Sequence, residues 1–128
     1  MTMKEKLYTD RAPAAIGPYS QAIRTGNTLY ISGQLPVDPT TGNIDATDAA
    51  GQTKQSLENI KAILAAADAG MDCVVKTTVL LADMGDFGAM NAVYETYFSD
   101  PFPARAAFQV ARLPKDAKVE IEAVAVLG

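Results

Sequence analysis

The spacing of apolar residues changes repeatedly along the chain, and each change of period marks a predicted element. Over residues 47–69 the periodic positions are Thr53, Leu57, Ile60, Leu64 and Ala67, in steps of four, three, four and three. Side chains spaced this way share one face, so the stretch predicts a helix with one stripe turned inward. Asp45 or Thr47 is placed to cap its start and Gly70 its end. A second helix is predicted over residues 86–98, with Phe87, Met90, Tyr94 and Tyr97 on one side. Asp100-Pro101-Phe102-Pro103 stops it, because residues before proline avoid the helical region.

Elsewhere the pattern is that of strands. Residues 74–82 and 118–127 are rich in Val and Ile, and 104–110 is a further candidate. Residues 19–23 and 28–32 predict two short strands joined at Gly26-Asn27, a dipeptide that tolerates the positive φ of a tight hairpin turn. Another turn is predicted at 38–42, where Pro39 fixes φ and Gly42 can take the left-handed conformation. Strands, helix, strand, helix, strands is an α+β order, with two helices laid against one face of a single sheet.

Alternation also bears on assembly. In 74–82 one face carries Val75, Val79 and Leu81 and the other Val74, Leu80 and Ala82, so both faces read as buried. Two helices cover one face only. The second face therefore packs on another copy of the chain, or beneath a short helix or loop that the pattern does not reveal.

Length and composition narrow the classes. The chain has 128 residues, 48% of them hydrophobic, which predicts one domain over 1–128 with a real core. Eleven Lys and Arg face fifteen Asp and Glu, a net charge of -4, which argues against a nucleic-acid binder. The start, residues 1–11, mixes Lys4, Glu5, Lys6 and Asp10 and has no apolar leader segment, and no later window holds the roughly 20 apolar residues of a membrane span. A cytoplasmic protein without membrane association is expected. The one cysteine, Cys73, reads as a small buried hydrophobe, and it cannot form an intrachain disulfide. No histidine is present, which excludes Ser-His-Asp and Cys-His catalysis and removes the commonest metal ligand. Proton transfer falls to carboxylates, Lys, Tyr or water.

Four places could carry chemistry. Tyr19 follows the Gly17-Pro18 turn, where it either reaches into a pocket or plugs the core. Ser32-Gly33-Gln34 ends a strand with a glycine, which permits a close backbone approach or simply makes a turn or bulge. Arg105 begins an otherwise apolar strand, where its guanidinium must find an anion, an internal ion pair or solvent. Its donors suit a carboxylate held by two parallel hydrogen bonds. Glu120 and Glu122 share a strand face with Val124 and Val126. They form either a solvated edge or a carboxylate bordering a dry surface, able to orient water.

Ala12-Pro13-Ala14-Ala15-Ile16-Gly17-Pro18-Tyr19-Ser20-Gln21-Ala22, Ile31-Ser32-Gly33-Gln34, Gln55-Ser56-Leu57-Glu58-Asn59-Ile60 and the run from Phe102-Pro103-Ala104-Arg105 to Ile121-Glu122-Ala123 together resemble the Rid family, also called YjgF, and within it the RidA-type imine deaminases. The resemblance spans about residues 8–127, with four separated motifs in order. It implies a chorismate-mutase-like fold of the bacillary type, a homotrimer around a central barrel, and clefts between subunits that take a small 2-imino or 2-keto acid. In this picture Arg105 clamps the substrate carboxylate, Glu120 is associated with the attacking water, and Tyr19 lines the site. Backbone groups of Gly33 and Ala107 complete the ligand's hydrogen bonds, and Asn91 approaches from a helix. No metal or other cofactor is implied. Many relatives carry Ser-Cys after the arginine where this chain has Ala106-Ala107, so a backbone role at 107 survives and thiol chemistry there does not. The rival readings are a non-enzymatic carboxylate-binding or regulatory trimer and, less favoured by the charge and the missing histidine, a ribonuclease or translation inhibitor.

Overall fold

A computed structural model describes residues 3–128. Of the opening stretch 1–11, Met1 and Thr2 lie outside the described residues. The elements run β1 (Lys4–Leu7), β2 (Ala22–Thr25), β3 (Thr28–Gln34), α1 (Ala49–Ala66), β4 (Val74–Leu81), α2 (Phe87–Tyr94), β5 (Ala104–Gln109) and β6 (Val119–Val126). Single 3-10 turns occupy Met71–Cys73, Met84–Asp86 and Pro114–Asp116. The strands form one six-stranded sheet in the order β1-β2-β3-β6-β4-β5. Every pairing is antiparallel except β4 with β5, which is parallel. A parallel pair needs a crossover connection, and α2 lies within it. This is the α+β arrangement that the order of elements predicts.

The helix stripe follows the period at Thr53, Leu57, Ile60 and Leu64, while Ala67 falls at the C-cap, only partly buried, and Ile63 joins the buried face. Thr53, Leu57, Ile60, Ile63 and Leu64 of α1 are buried, against Leu29 and Ile31 of β3, Val79 and Leu81 of β4, and Ile121 of β6. Burial alternates along β6, with Val119, Ile121, Ala123 and Ala125 inward and Glu120, Glu122, Val124 and Val126 outward. The outward face leaves Tyr30, Phe108 and Val126 exposed, at 52, 47 and 46%. No helix is long and apolar enough to cross a membrane among the described residues.

Several boundaries differ from the sequence reading, each for a local reason. The first helix is capped by Asp48, whose carboxylate accepts from Gly51 N at 2.8 Å, and not by Asp45 or Thr47. It ends at Ala66, and Asp68 takes the left-handed turn at φ 55° while Gly70 starts the next 3-10 turn. The second helix is only Phe87–Tyr94, so Tyr97 lies beyond it. The first predicted strand, 19–23, is displaced to Ala22–Thr25, because residues 17–19 close a tight turn with Tyr19 N donating to Gly17 O at 2.9 Å. The two-residue hairpin at Gly26-Asn27 is present, with Gly26 at φ 57°. The unpredicted β1, Lys-Glu-Lys-Leu, has no apolar alternation to read and pairs along one edge of β2.

One correction changes the faces of β4. A register shift between Val74 and Lys76 turns Val74 into the core and leaves Val75 46% exposed, so Val75 does not share the face of Val79 and Leu81. An inserted residue reverses the alternation on one side of it. Thr77, Val79 and Leu81 face the helices, and Thr78 and Leu80 the open side.

Candidate functional site

Arg105 lies on edge strand β5, paired in register with the buried Thr77 of β4, and so projects from the face that α2 crosses. Its guanidinium meets that helix. Arg105 Nη1 donates to Asn91 Oδ1 at 2.7 Å, and the guanidinium carbon stands 4.8 Å from the Tyr94 ring centre and 5.4 Å from that of Phe87. Tyr94 is itself pinned, its hydroxyl 2.7 Å from Thr77 Oγ1. Burial pushes the Tyr94 phenol up, while the Thr77 hydrogen bond and the Arg105 charge oppose that shift. Among the described residues no carboxylate pairs with Arg105. The internal ion pair left open by the sequence is thus absent, and the guanidinium is oriented by neutral groups with donors to spare. Ala107, two residues on and paired with Val79, shares this face and packs against the core.

Glu120 is on the other face. On β6 it pairs with Leu80 of β4, one residue from the core-facing Ile121, and is half-buried. Burial is the first cause that raises its carboxyl pKa, and the charge of Glu122 adds to it. Gly33 sits against it, where the β3–β6 register shifts between Ile31 and Gln34. A Cβ on Gly33 would run into the Glu120 carboxylate, with Cδ at 3.0 Å and Cγ at 3.3 Å. The glycine here serves a close approach. Gly33 also borders a cleft of about 610 Å³ that it shares with Tyr19, Ile16, Val37 and Lys115. Tyr19 is 54% exposed at this cleft, which rules out the core plug.

The structure therefore gathers the six candidate residues into two groups. Arg105, Asn91 and Ala107 lie on the helix side of β5, and Glu120, Gly33 and Tyr19 surround the far side of β6 and the cleft. A smaller cavity of about 170 Å³ beside Met71, Tyr97 and Pro103 is lined by none of them.

Sequence reasoning overlooked two sets of supporting residues. Phe87 and Tyr94 flank the candidate Asn91 in steps of four and three, the spacing of one helix face, and that signal could have placed both rings against Arg105. Two buried amides tether the cleft walls. Gln21 donates to the carbonyls of Thr9, Ala12 and Pro13 at 2.9, 3.3 and 2.8 Å, and Asn59 donates to those of Leu35 and Val37 at 3.1 and 3.0 Å. Both lie inside motifs quoted above, but no residue pattern announces which carbonyls they hold.

Comparison with known proteins places the chain in a family. The family model described as endoribonuclease L-PSP matches residues 9–127. The chain belongs to the Rid (YjgF) family. A RutC family protein of Pyrococcus horikoshii is 57% identical over 123 residues, covering 96% of this chain and 98% of its own. The Rid-family relative in Mus musculus, named 2-iminobutanoate/2-iminopropanoate deaminase, is 52% identical over 126 residues, covering 98% of this chain and 93% of its own. Among solved structures, Escherichia coli TdcF with bound serine superposes with a TM-score of 0.91 at 46% identity, covering 97% of this chain and 99% of that one. The Rid fold and its family membership are thereby shared over nearly the whole length.

Proposed function

We propose that this Rid-family protein hydrolyses small 2-imino acids, 2-iminopropanoate and 2-iminobutanoate, to 2-keto acids and ammonia. The observation that carries the reading is Arg105: a guanidinium with no carboxylate partner among the described residues, held in place by Asn91 and two aromatic rings. Such a group is prepared for an external carboxylate, which every 2-imino acid offers. The deaminase name of the mouse relative and the serine in TdcF support the same class of ligand.

The working site combines Arg105 of one copy with Glu120, Gly33 and Tyr19 of the next, in a homotrimer of the chorismate-mutase-like kind. The two groups lie on opposite sides of the sheet in one chain, and the open face carries Tyr30, Phe108 and Val126, so self-association answers both facts. Arg105 fixes the substrate carboxylate, and backbone groups of Gly33 and Ala107 orient the rest. Glu120 takes a proton from water as its oxygen attacks the imine carbon, giving a carbinolamine. The same proton passes to the nitrogen. The carboxylate then carries the carbinolamine hydroxyl proton to the departing amine as the C–N bond breaks, and ammonia leaves the keto acid with both protons of the water. A half-buried carboxylate with a raised pKa suits both proton transfers. Imines also hydrolyse unaided, so positioning and electrostatics suffice and a histidine is not required.

The test is ammonia and keto-acid release from each imine generated in place, compared with its spontaneous hydrolysis. Acceleration is expected. Binding of pyruvate without acceleration would favour the non-enzymatic carboxylate binder.

A further inference from the structure

The connection between β5 and β6 is held in a conformation that the chemistry above does not use. Lys115 and Asp116 are consecutive, neither is glycine, and both have positive φ, 57° and 54°. L side chains rarely adopt this region, and where they do the surroundings must enforce it. Here they do. Leu113 and Ala117 are buried on either side, and the amides of Asp116 and Ala117 donate to Leu113 O and Pro114 O, both at 3.2 Å.

The neighbouring charges are already matched without Lys115. Asp116 Oδ1 accepts from Arg112 Nε at 2.7 Å, which leaves Lys115 with no ion pair or hydrogen bond among the described residues. Lys115 instead lines the cleft shared by Tyr19 and Gly33. It is the one charged residue among the described residues around that cleft, whose walls include the apolar Pro13, Ile16, Leu35 and Val37. Gly33 borders both this cleft and the Glu120 carboxylate, so a single residue lies between the cleft and the proposed water-activating group. At about 610 Å³ it falls within the ~300–1,000 Å³ of pockets that hold drug-sized ligands, and a three- or four-carbon acid leaves most of it empty. A single cation at the edge of a cleft whose other lining residues are apolar or neutral, on a chain of net charge -4, is a local attractor for a second anionic group.

We propose that Lys115 is a second anion-binding group of this site and that the protein accepts 2-imino dicarboxylates, the α-carboxylate held by Arg105 and the distal one by Lys115. This rests on the deaminase reading. The reaction is the same hydrolysis, with water entering at the imine carbon and ammonia leaving. The methylenes of such a substrate lie along the apolar wall, and its far carboxylate reaches the ammonium.

The experiment compares kcat/KM for the imines of glutamate and alanine, each generated in place by an amino-acid oxidase, in wild type, Lys115→Asn and Lys115→Arg. Asparagine removes the charge yet tolerates positive φ better than most residues, which protects the turn. The ratio of dicarboxylate to monocarboxylate is expected to fall about tenfold in Lys115→Asn and to return to within threefold of wild type in Lys115→Arg. A fall of less than threefold, an arginine variant no better than the asparagine one, or a wild type that turns over the alanine imine and not the glutamate imine would overturn the proposal. If wild type accelerates neither imine, the deaminase reading fails. The Lys115 assignment is then decided by the same ratio taken from dissociation constants of 2-oxoglutarate and pyruvate.

Discussion

The two sides of the sheet prepare their charged groups in opposite ways. On the helix side, Arg105 is surrounded by neutral partners that fix its direction: an amide oxygen at 2.7 Å and two rings within 5.4 Å. On the open side, Glu120 accepts no hydrogen bond among the described residues, is half-buried, and has its charged form disfavoured by burial and by Glu122. A binding group benefits from being oriented before its ligand arrives, since less freedom is lost on binding. A proton-transfer group benefits from a pKa drawn toward working pH, which hydrogen bonds to the carboxylate would prevent. On the proposed function, recognition belongs to one side and chemistry to the other.

The most severe test asks whether the sides belong to different copies. Arg105→Ala and Glu120→Gln are each expected to lower kcat/KM about a hundredfold, ~2.7 kcal/mol of barrier. Co-assembled from mixed, unfolded chains, the two should regain activity well above either alone, because one copy supplies an intact Arg105 side and its neighbour an intact Glu120 side. No regain, with mixed oligomers verified by mass, would place both sides of a working site in one chain.

Arg105→Lys sharpens the recognition side. It keeps the charge and loses the planar fork, and interactions of this kind contribute about 1.5–3 kcal/mol, so the pyruvate dissociation constant should rise about 10- to 150-fold by calorimetry. Gly33→Ala probes the chemistry side. The added Cβ displaces the Glu120 carboxylate, and kcat is expected to fall about tenfold, ~1.4 kcal/mol, with pyruvate binding changed less. An unchanged kcat would detach Gly33 from Glu120. Asn91→Ala removes the amide that aims Arg105, a loss of about 1 kcal/mol, and KM should rise about fivefold with kcat little altered.

The smallest effect is on stability. Glu120 titrates above its ordinary 4.5 when folded. Below the unfolded value both states are protonated and the group contributes nothing. As pH rises through the interval up to the folded value, the unfolded chain ionises first, so stability is withdrawn and stays withdrawn at higher pH. Glu120→Gln should therefore have a higher Tm than wild type at pH 7, with the gain vanishing near pH 3. A gain independent of pH would locate the effect in packing.

Much of this molecule was legible in its sequence because the signals were periodic or local. A period near 3.6 marked both helices, Val- and Ile-rich runs marked β4 and β6, and Gly26-Asn27 marked the hairpin. The resemblance motifs named the family and all six candidate residues. The helix caps were misplaced by one to three positions, since Asp45, Thr47 and Asp48 are all competent caps and the choice depends on which one the packed helix presents to Gly51 N. β1 was illegible because Leu7, which packs against the core, is its one apolar residue and leaves no alternation to read, the strand being held mainly by main-chain bonds to β2.

Sequence alone determined which residue types were available for chemistry: no histidine, one cysteine, an arginine beginning an apolar strand, and two glutamates on one strand face. Only the tertiary structure decided where they stand relative to one another. One inserted residue at Val75 reverses the faces of β4 without changing its composition. The pairings of Thr77 with Arg105 and of Leu80 with Glu120 then send the two charged groups to opposite sides of the sheet. Such registers are set by long-range packing of many side chains at once, and alternation within any one strand cannot specify them.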